Sequence, residues 1–152
     1  MSPIFKGLAG VAIVLVLPAS AQGVLSQKNI SLALAQCQSM DFKVAVTVLD
    51  RGGHALVMLR DDSADLHTSE GSDRKAFTAR TFSRHSSEFV KRMLDDPAAV
   101  GSRSYTRVLA LGGGLPIKAG TDVIGAVGVS GSPSKDDACS QAGIDKVADL
   151  LK

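Results

Sequence analysis

The feature that most narrows the folds open to this chain is the shortness of the links between its apolar runs. Residues 44–50 form a β-branched run and residues 54–60 a second, with only Arg51, Gly52 and Gly53 between them. A parallel crossover needs a dozen or more residues, so strands this close must pair antiparallel. Gly52 and Gly53 can take positive φ, which makes the link a hairpin turn. The pattern returns further along. Residues 107–111 read as a strand, Gly112-Gly113-Gly114 leads into Leu115-Pro116-Ile117, residues 118–121 turn, and residues 122–129 form a strong strand.

Helical periodicity fills the gaps between these groups. Ile30, Ala33, Leu34 and Cys37 recur at i, i+3, i+4 and i+7, the stripe of an amphipathic helix over about residues 27–39. A second helix starts near Thr68 or Ser69, either of which can cap it, and buries Ala76, Ala79 and Phe82. Ser86 or Ser87 caps a short third helix with Phe89, Val90, Met93 and Leu94 facing inward, and Asp96-Pro97 ends it. Residues 98–106 lack a period and read as loop. Ser134 with Asp137 signals a last helix that buries Ile144, Val147, Ala148 and Leu151. The order is helix, two strands, two helices, three strands, helix. Strands and helices in separate runs imply an α+β layered domain rather than a doubly wound sheet. At 152 residues the chain suits one domain.

The first twenty-one residues differ from the rest. Lys6 precedes an apolar run over residues 8–17, and Pro18-Ala19-Ser20-Ala21 ends in an A-x-A pattern. These are the marks of a secretory signal peptide cleaved before Gln22. The run is shorter than the roughly 20 residues a spanning helix needs. Export to the periplasm or the extracellular space is therefore expected, with residues 22–152 as the mature domain and no membrane span after cleavage. Removing residues 1–21 takes one lysine and no acid, so the formal net charge falls from +2 to +1. A near-neutral chain whose basic residues alternate with acids offers no electrostatic case for nucleic acid. Cys37 and Cys139 leave two readings open, a single disulfide or two buried thiols. Their spacing is not that of a zinc site.

Three segments together resemble the GlcG/HbpS-like haem-binding family, which also supplies the C-terminal domain of some corrinoid adenosyltransferases. They are Val48-Leu49-Asp50-Arg51-Gly52-Gly53-His54 leading to Arg60; Arg74-Lys75-Ala76-Phe77-Thr78-Ala79; and Gly112 to Ile117 continuing through Ile124-Gly125-Ala126-Val127-Gly128-Val129-Ser130-Gly131 to Asp136-Asp137-Ala138-Cys139. The resemblance implies a profilin-like layered fold, a five-stranded antiparallel sheet with helices on both faces. It also implies haem as cofactor and a homo-oligomer, an octamer in some exported members.

Haem iron is held by His, Met, Cys or Tyr, with imidazole the commonest donor. The three histidines rank His85, then His67, then His54 as iron ligands, and His85 and His67 are the expected metal pair. On one straight helix His67 and His85 would share a face but stand roughly 27 Å apart, too far to meet one iron. A break in that helix or a subunit interface would be needed. Tyr105, Met58, Met93 and Met40 are fallback ligands, although core packing suits the methionines better. Arg60, Arg74 and Lys75 are candidates to pair with haem propionates. Gly112, Gly113 and Gly114 could form a backbone concavity for an anion. Aromatic residues make up only 4% of the chain, with no Trp, which favours a shallow or interfacial site.

No catalytic constellation is legible. Ser130 in Gly-Val-Ser-Gly lacks the G-x-S-x-G elbow, neither glycine segment has nucleotide-loop spacing, and HExxH and Cys-x-x-Cys are absent. The leading expectation is an exported haem-binding protein for storage, scavenging or a sensing relay. Two alternatives stand beside it. One is an accessory protein or enzyme binding a small organic acid at residues 112–117 and Arg60; the other is an oligomeric scaffold without cofactor.

Overall fold

A computed structural model of the chain describes residues 35–151. The signal segment and most of the first helix lie outside the described residues, and residues 35–38 are helical as expected. Four strands follow: β1 (Ala45–Leu49), β2 (Ala55–Arg60), β3 (Gly114–Ala119) and β4 (Asp122–Ser130). Between β2 and β3 come α1 (Thr68–Phe82), α2 (Ser86–Asp95) and a 3₁₀ segment (Pro97–Ser104); α3 (Asp136–Asp145) and a 3₁₀ turn (Ala148–Leu150) close the chain. The sheet is antiparallel throughout, in the order β2-β1-β4-β3. Pro116, which has no N–H to give a ladder, falls on the edge strand β3, where a sheet tolerates it.

Strand alternation splits the core into two layers. Val46 and Val48 of β1 lie opposite Val129 and Val127 of β4, and Leu115 of β3 pairs with Val127 in turn. With Ile117, Ile124, Cys37, Cys139, Val147 and Leu151 they make an aliphatic layer. On the other face Leu49 and Ala126 meet Ala76 and Ala79 of α1. That helix lies so close that a Cβ at Gly128 would run into the carbonyl of Ser72, and one at Gly114 into the carbonyl of Lys75. The buried hydroxyls of Thr47 and Ser72 hydrogen-bond at 2.8 Å in the same layer. Helices thus cover both faces, and the α+β layered reading holds.

Several expectations are corrected. The sheet has four strands among the described residues, not five. Residues 107–111 do not pair in it. Their backbone is bonded by side chains of α1: Leu109 N–H donates to Thr78 Oγ1 at 2.8 Å, and Arg74 Nη2 donates to the Val108 carbonyl at 3.0 Å. Residues 97–104 form a 3₁₀ segment rather than open loop. The expected caps are not caps: Thr68, Ser86 and Asp136 are the first helical residues of α1, α2 and α3, behind N-cap positions at His67, His85 and Lys135 that no side chain closes. Leu94 is 79% exposed, not inward, and Ala148 is also exposed. The two cysteines form a disulfide, joining the helical turn at 35–38 to α3 across 102 residues of sequence.

Candidate functional site

Seven residues separate His67 from Arg74, two helical turns, so both lie on one side of α1 at its N-terminal end. That end meets the C-terminal end of β4, the start of α3 and the 105–113 segment around a cleft of about 470 Å³. His67, Glu70, Arg74 and Lys75 line it from α1, Leu109 and Leu111 from the facing segment, and Pro133 and Asp136 from the entry to α3. Of the nine sequence-predicted site residues, His67, Arg74 and Lys75 come together here.

Two ion pairs lie within the cleft. Lys75 Nζ donates to Asp136 Oδ2 at 2.7 Å and to the Val129 carbonyl at 3.2 Å. Asp136 Oδ1 in turn accepts from the backbone N–H and the hydroxyl of Ser132, at 2.9 and 2.6 Å. Lys75 is 4% exposed, so its charge is neutralised at the floor of the cleft rather than offered outright to a ligand. Arg74 Nη1 meets Glu70 Oε1 at 2.9 Å, four residues back on the same helix. Arg74 Nε is buried with no acceptor among the described residues.

The other predicted residues lie elsewhere. His54 sits on the β1–β2 turn, its backbone N–H donating to Asp50 Oδ1 at 2.9 Å. That bond, with the Gly52 N–H and the nearby imidazole, holds the Asp50 carboxyl below its usual range. His85 occupies the N-cap position of α2, beyond the left-handed turn at Ser83, φ 54°, that ends α1. The helix break foreseen for a shared iron exists, yet His85 does not join His67 in the cleft. Arg60 Nη2 donates to the Ala64 carbonyl. Gly113 N–H donates to Asp137 and Gly114 N–H to Ser86 Oγ, so these two amides serve the fold and not an anion. Among the fallback ligands Tyr105, Met58 and Met40 are exposed, against the core role read for the methionines, and none lines the cleft.

Sequence reasoning missed Arg107. Its guanidinium forks onto Asp73 at 2.8 and 3.3 Å, donates to the Gly53 carbonyl at 3.0 Å, and stacks 4.2 Å from the Phe77 ring centre. This clasp pins the segment that carries Leu109 and Leu111 to α1 and to the β1–β2 turn. Only the preference of Arg for bidentate carboxylate contacts hinted at it.

A haem would find three matching features in the cleft: an imidazole at the rim, apolar walls from Leu109, Leu111 and Pro133, and a guanidinium whose Nη1 meets only an exposed carboxylate. One feature is missing. Phe77 lies under Arg107, and Phe82 stacks on Phe89 at 4.4 Å, so no ring lines the cleft among the described residues.

Comparison with known proteins decides the lineage. Residues 25–145 match the family model described as "Haem degrading protein HbpS-like". The chain belongs to the HbpS-like family. GlcG of Escherichia coli K12 is 30% identical over 111 residues, 70% of this chain and 81% of GlcG. The 15.0 kDa protein of the dhaT-dhaS intergenic region of Citrobacter freundii is 32% identical over 105 residues, 68% of this chain and 74% of that protein. Among solved structures, Klebsiella pneumoniae ORFY aligns with a TM-score of 0.76 at 27% identity, covering 97% of this chain and 98% of ORFY. A double mutant of Streptomyces reticuli HbpS aligns at 0.75 with 28% identity over 95% and 98%. A haem complex of PduOC aligns at 0.71 with 26% identity over 85% and 93%. The HbpS-like chain thus shares its fold with a protein solved with haem.

Proposed function

We propose that this HbpS-like chain is an exported haem-binding protein for storage, scavenging or a sensing relay, and that the cleft at the N-terminus of α1 is its site. The observation that carries the reading is the convergence there of His67, Arg74 and apolar walls, in a fold shared with PduOC, whose solved structure is a haem complex. His67 would hold the iron through its imidazole. Arg74 would meet a propionate, and Leu109, Leu111 and Pro133 would lie against the ring. Lys75 would act by keeping the floor in place. Haem, when bound, supplies an iron centre; the chain supplies an imidazole, a cation and a dry wall. Export is supported by the charged, apolar and small-residue succession over residues 1–21. A buried disulfide fits an oxidising compartment.

Titration of the mature protein with hemin is expected to give a saturable Soret shift at stoichiometric ratio. His67→Ala should abolish or move the band, while His54→Ala and His85→Ala leave it in place. A folded protein that gives no shift would end the haem reading. The missing aromatic lining favours a second reading, a cleft for a small organic acid anchored at Arg74. Saturable binding of a carboxylate without a hemin response would select it.

A further inference from the structure

The two ion pairs of the cleft are of similar length, 2.7 and 2.9 Å, but of opposite character. The Lys75 and Asp136 side chains are 5% and 14% exposed, and Ser132 and the Val129 carbonyl lock both in place. Removing either partner would strand a buried charge, so this pair is permanent. The Arg74 and Glu70 side chains are 29% and 70% exposed, and the Glu70 carboxylate meets the guanidinium through one hydrogen bond. An exposed i, i+4 pair of this kind is weak and readily exchanged. Arg74 Nε is buried, and Nη2 is anchored on the Val108 carbonyl and cannot leave without freeing the cleft wall, so Nη1 is the donor over which Glu70 and a ligand would compete.

We propose that Glu70 is an exchangeable internal carboxylate that occupies Arg74 until a ligand's carboxylate takes its place, which makes Glu70 a specificity-determining residue of the cleft. Glu70 lies within one turn of the helix start, where its charge is favoured without Arg74, so its release costs little. The incoming group gains a charge-assisted bond to a guanidinium already positioned by Val108. A ligand without a carboxylate has to leave Glu70 where it is. The chemistry required is a carboxylate, whether a haem propionate or a small organic acid. The inference rests on the cleft being the binding site.

The test measures dissociation constants of the mature protein, Glu70→Gln and Arg74→Lys for three probes: hemin, hemin dimethyl ester in the same buffer, and succinate. Glu70→Gln should tighten hemin about two- to fivefold, the strength of the lost competitor, and leave the diester unchanged. Arg74→Lys should weaken hemin more than the diester, because both lose the Val108 anchor of the wall but only hemin also loses a charge-assisted guanidinium bond. Hemin affinity unmoved by Glu70→Gln, or moved equally with the diester, overturns the exchange. If hemin fails to bind while succinate binds and tightens in Glu70→Gln, the exchange stands and the haem reading falls. If neither probe binds any of the three proteins, both fall.

Discussion

The two faces of the sheet are built on opposite plans. The face under α1 is made mostly of Ala, Gly, Ser and Thr around Leu49, with the helix backbone in direct contact with β4 and β3. The far face is a layer of Val, Leu and Ile closed by a disulfide. Large side chains can shift to absorb a lost methyl group, whereas backbone against backbone cannot move apart without carrying a whole helix with it. The tight face therefore sets geometry, including where His67 and Arg74 stand, and the aliphatic face supplies most of the apolar burial.

The largest effect should come from breaking the tight face. A Cβ at Gly128 meets the Ser72 carbonyl, the Ala76 amide and the Ala76 side chain, none of which is a flexible tip. Gly128→Ala is expected to destabilise by roughly 3 kcal/mol or more, beyond the usual overpacking range, because the helix itself must lift. Urea denaturation measures the loss, and any soluble variant should also bind hemin poorly, since α1 carries the site. A near-neutral Gly128→Ala would remove the distinction between the faces.

Next comes the clamp of the aliphatic face. The Cys37–Cys139 bridge closes a long loop, and replacing both residues by Ser should cost about 2–4 kcal/mol through the freed unfolded chain. Thermal melts of the double variant check this. Hemin affinity of the folded fraction should hold, because the bridge lies on the side of the sheet away from the tight layer. An equal loss of stability and affinity would show the faces to be coupled.

What was legible in the sequence follows the same divide. Local period and short links were enough for the β1–β2 hairpin, the antiparallel sheet, and helices at Thr68 and Ser86. His67, Arg74 and Lys75 could be named because helical spacing already groups them. Residues 107–111 misled: Val108, Leu109 and Leu111 look like a strand, but Thr78 and Arg74, some thirty residues away, take their backbone groups. The polar residues at helix starts misled for a related reason. Ser86 Oγ receives the Gly114 amide, and Asp137 Oδ1 the Gly113 amide, so these side chains serve tertiary contacts instead of caps. The Arg107 clasp joins positions 53, 73 and 107, a pairing no local pattern contains.

A smaller effect should separate packing from transfer on the aliphatic face. Ile117 is 4% exposed among Val, Leu and Ile neighbours that can relax. Ile117→Val is expected to cost about 0.5–1.5 kcal/mol, the ordinary range for one buried methylene. By contrast with Gly128→Ala, it removes volume instead of adding it. Denaturation midpoints of the two variants, compared at constant m-value, give the ratio of tolerance between the faces.

The smallest expected effect lies outside both layers, at the hairpin turn, and serves as a control on them. The His54 backbone N–H is the main group that holds the Asp50 carboxyl below the usual carboxylate range in the folded chain. A depressed folded value means that the ionised form is favoured by folding, so the contribution is present above the unfolded carboxylate pKa and fades as pH falls through the folded one. Asp50→Asn should therefore lower stability slightly at pH 7 and lose its penalty as the pH falls below the depressed pKa of the folded carboxyl. The carboxylate is solvated, so the difference stays near the limit of denaturant titration. A penalty of the same size above and below that pKa would mean that the aspartate acts through turn geometry rather than charge. Because neither the tight nor the aliphatic layer contains this group, the cost of Gly128→Ala relative to Ile117→Val should not change when Asp50→Asn is added to each.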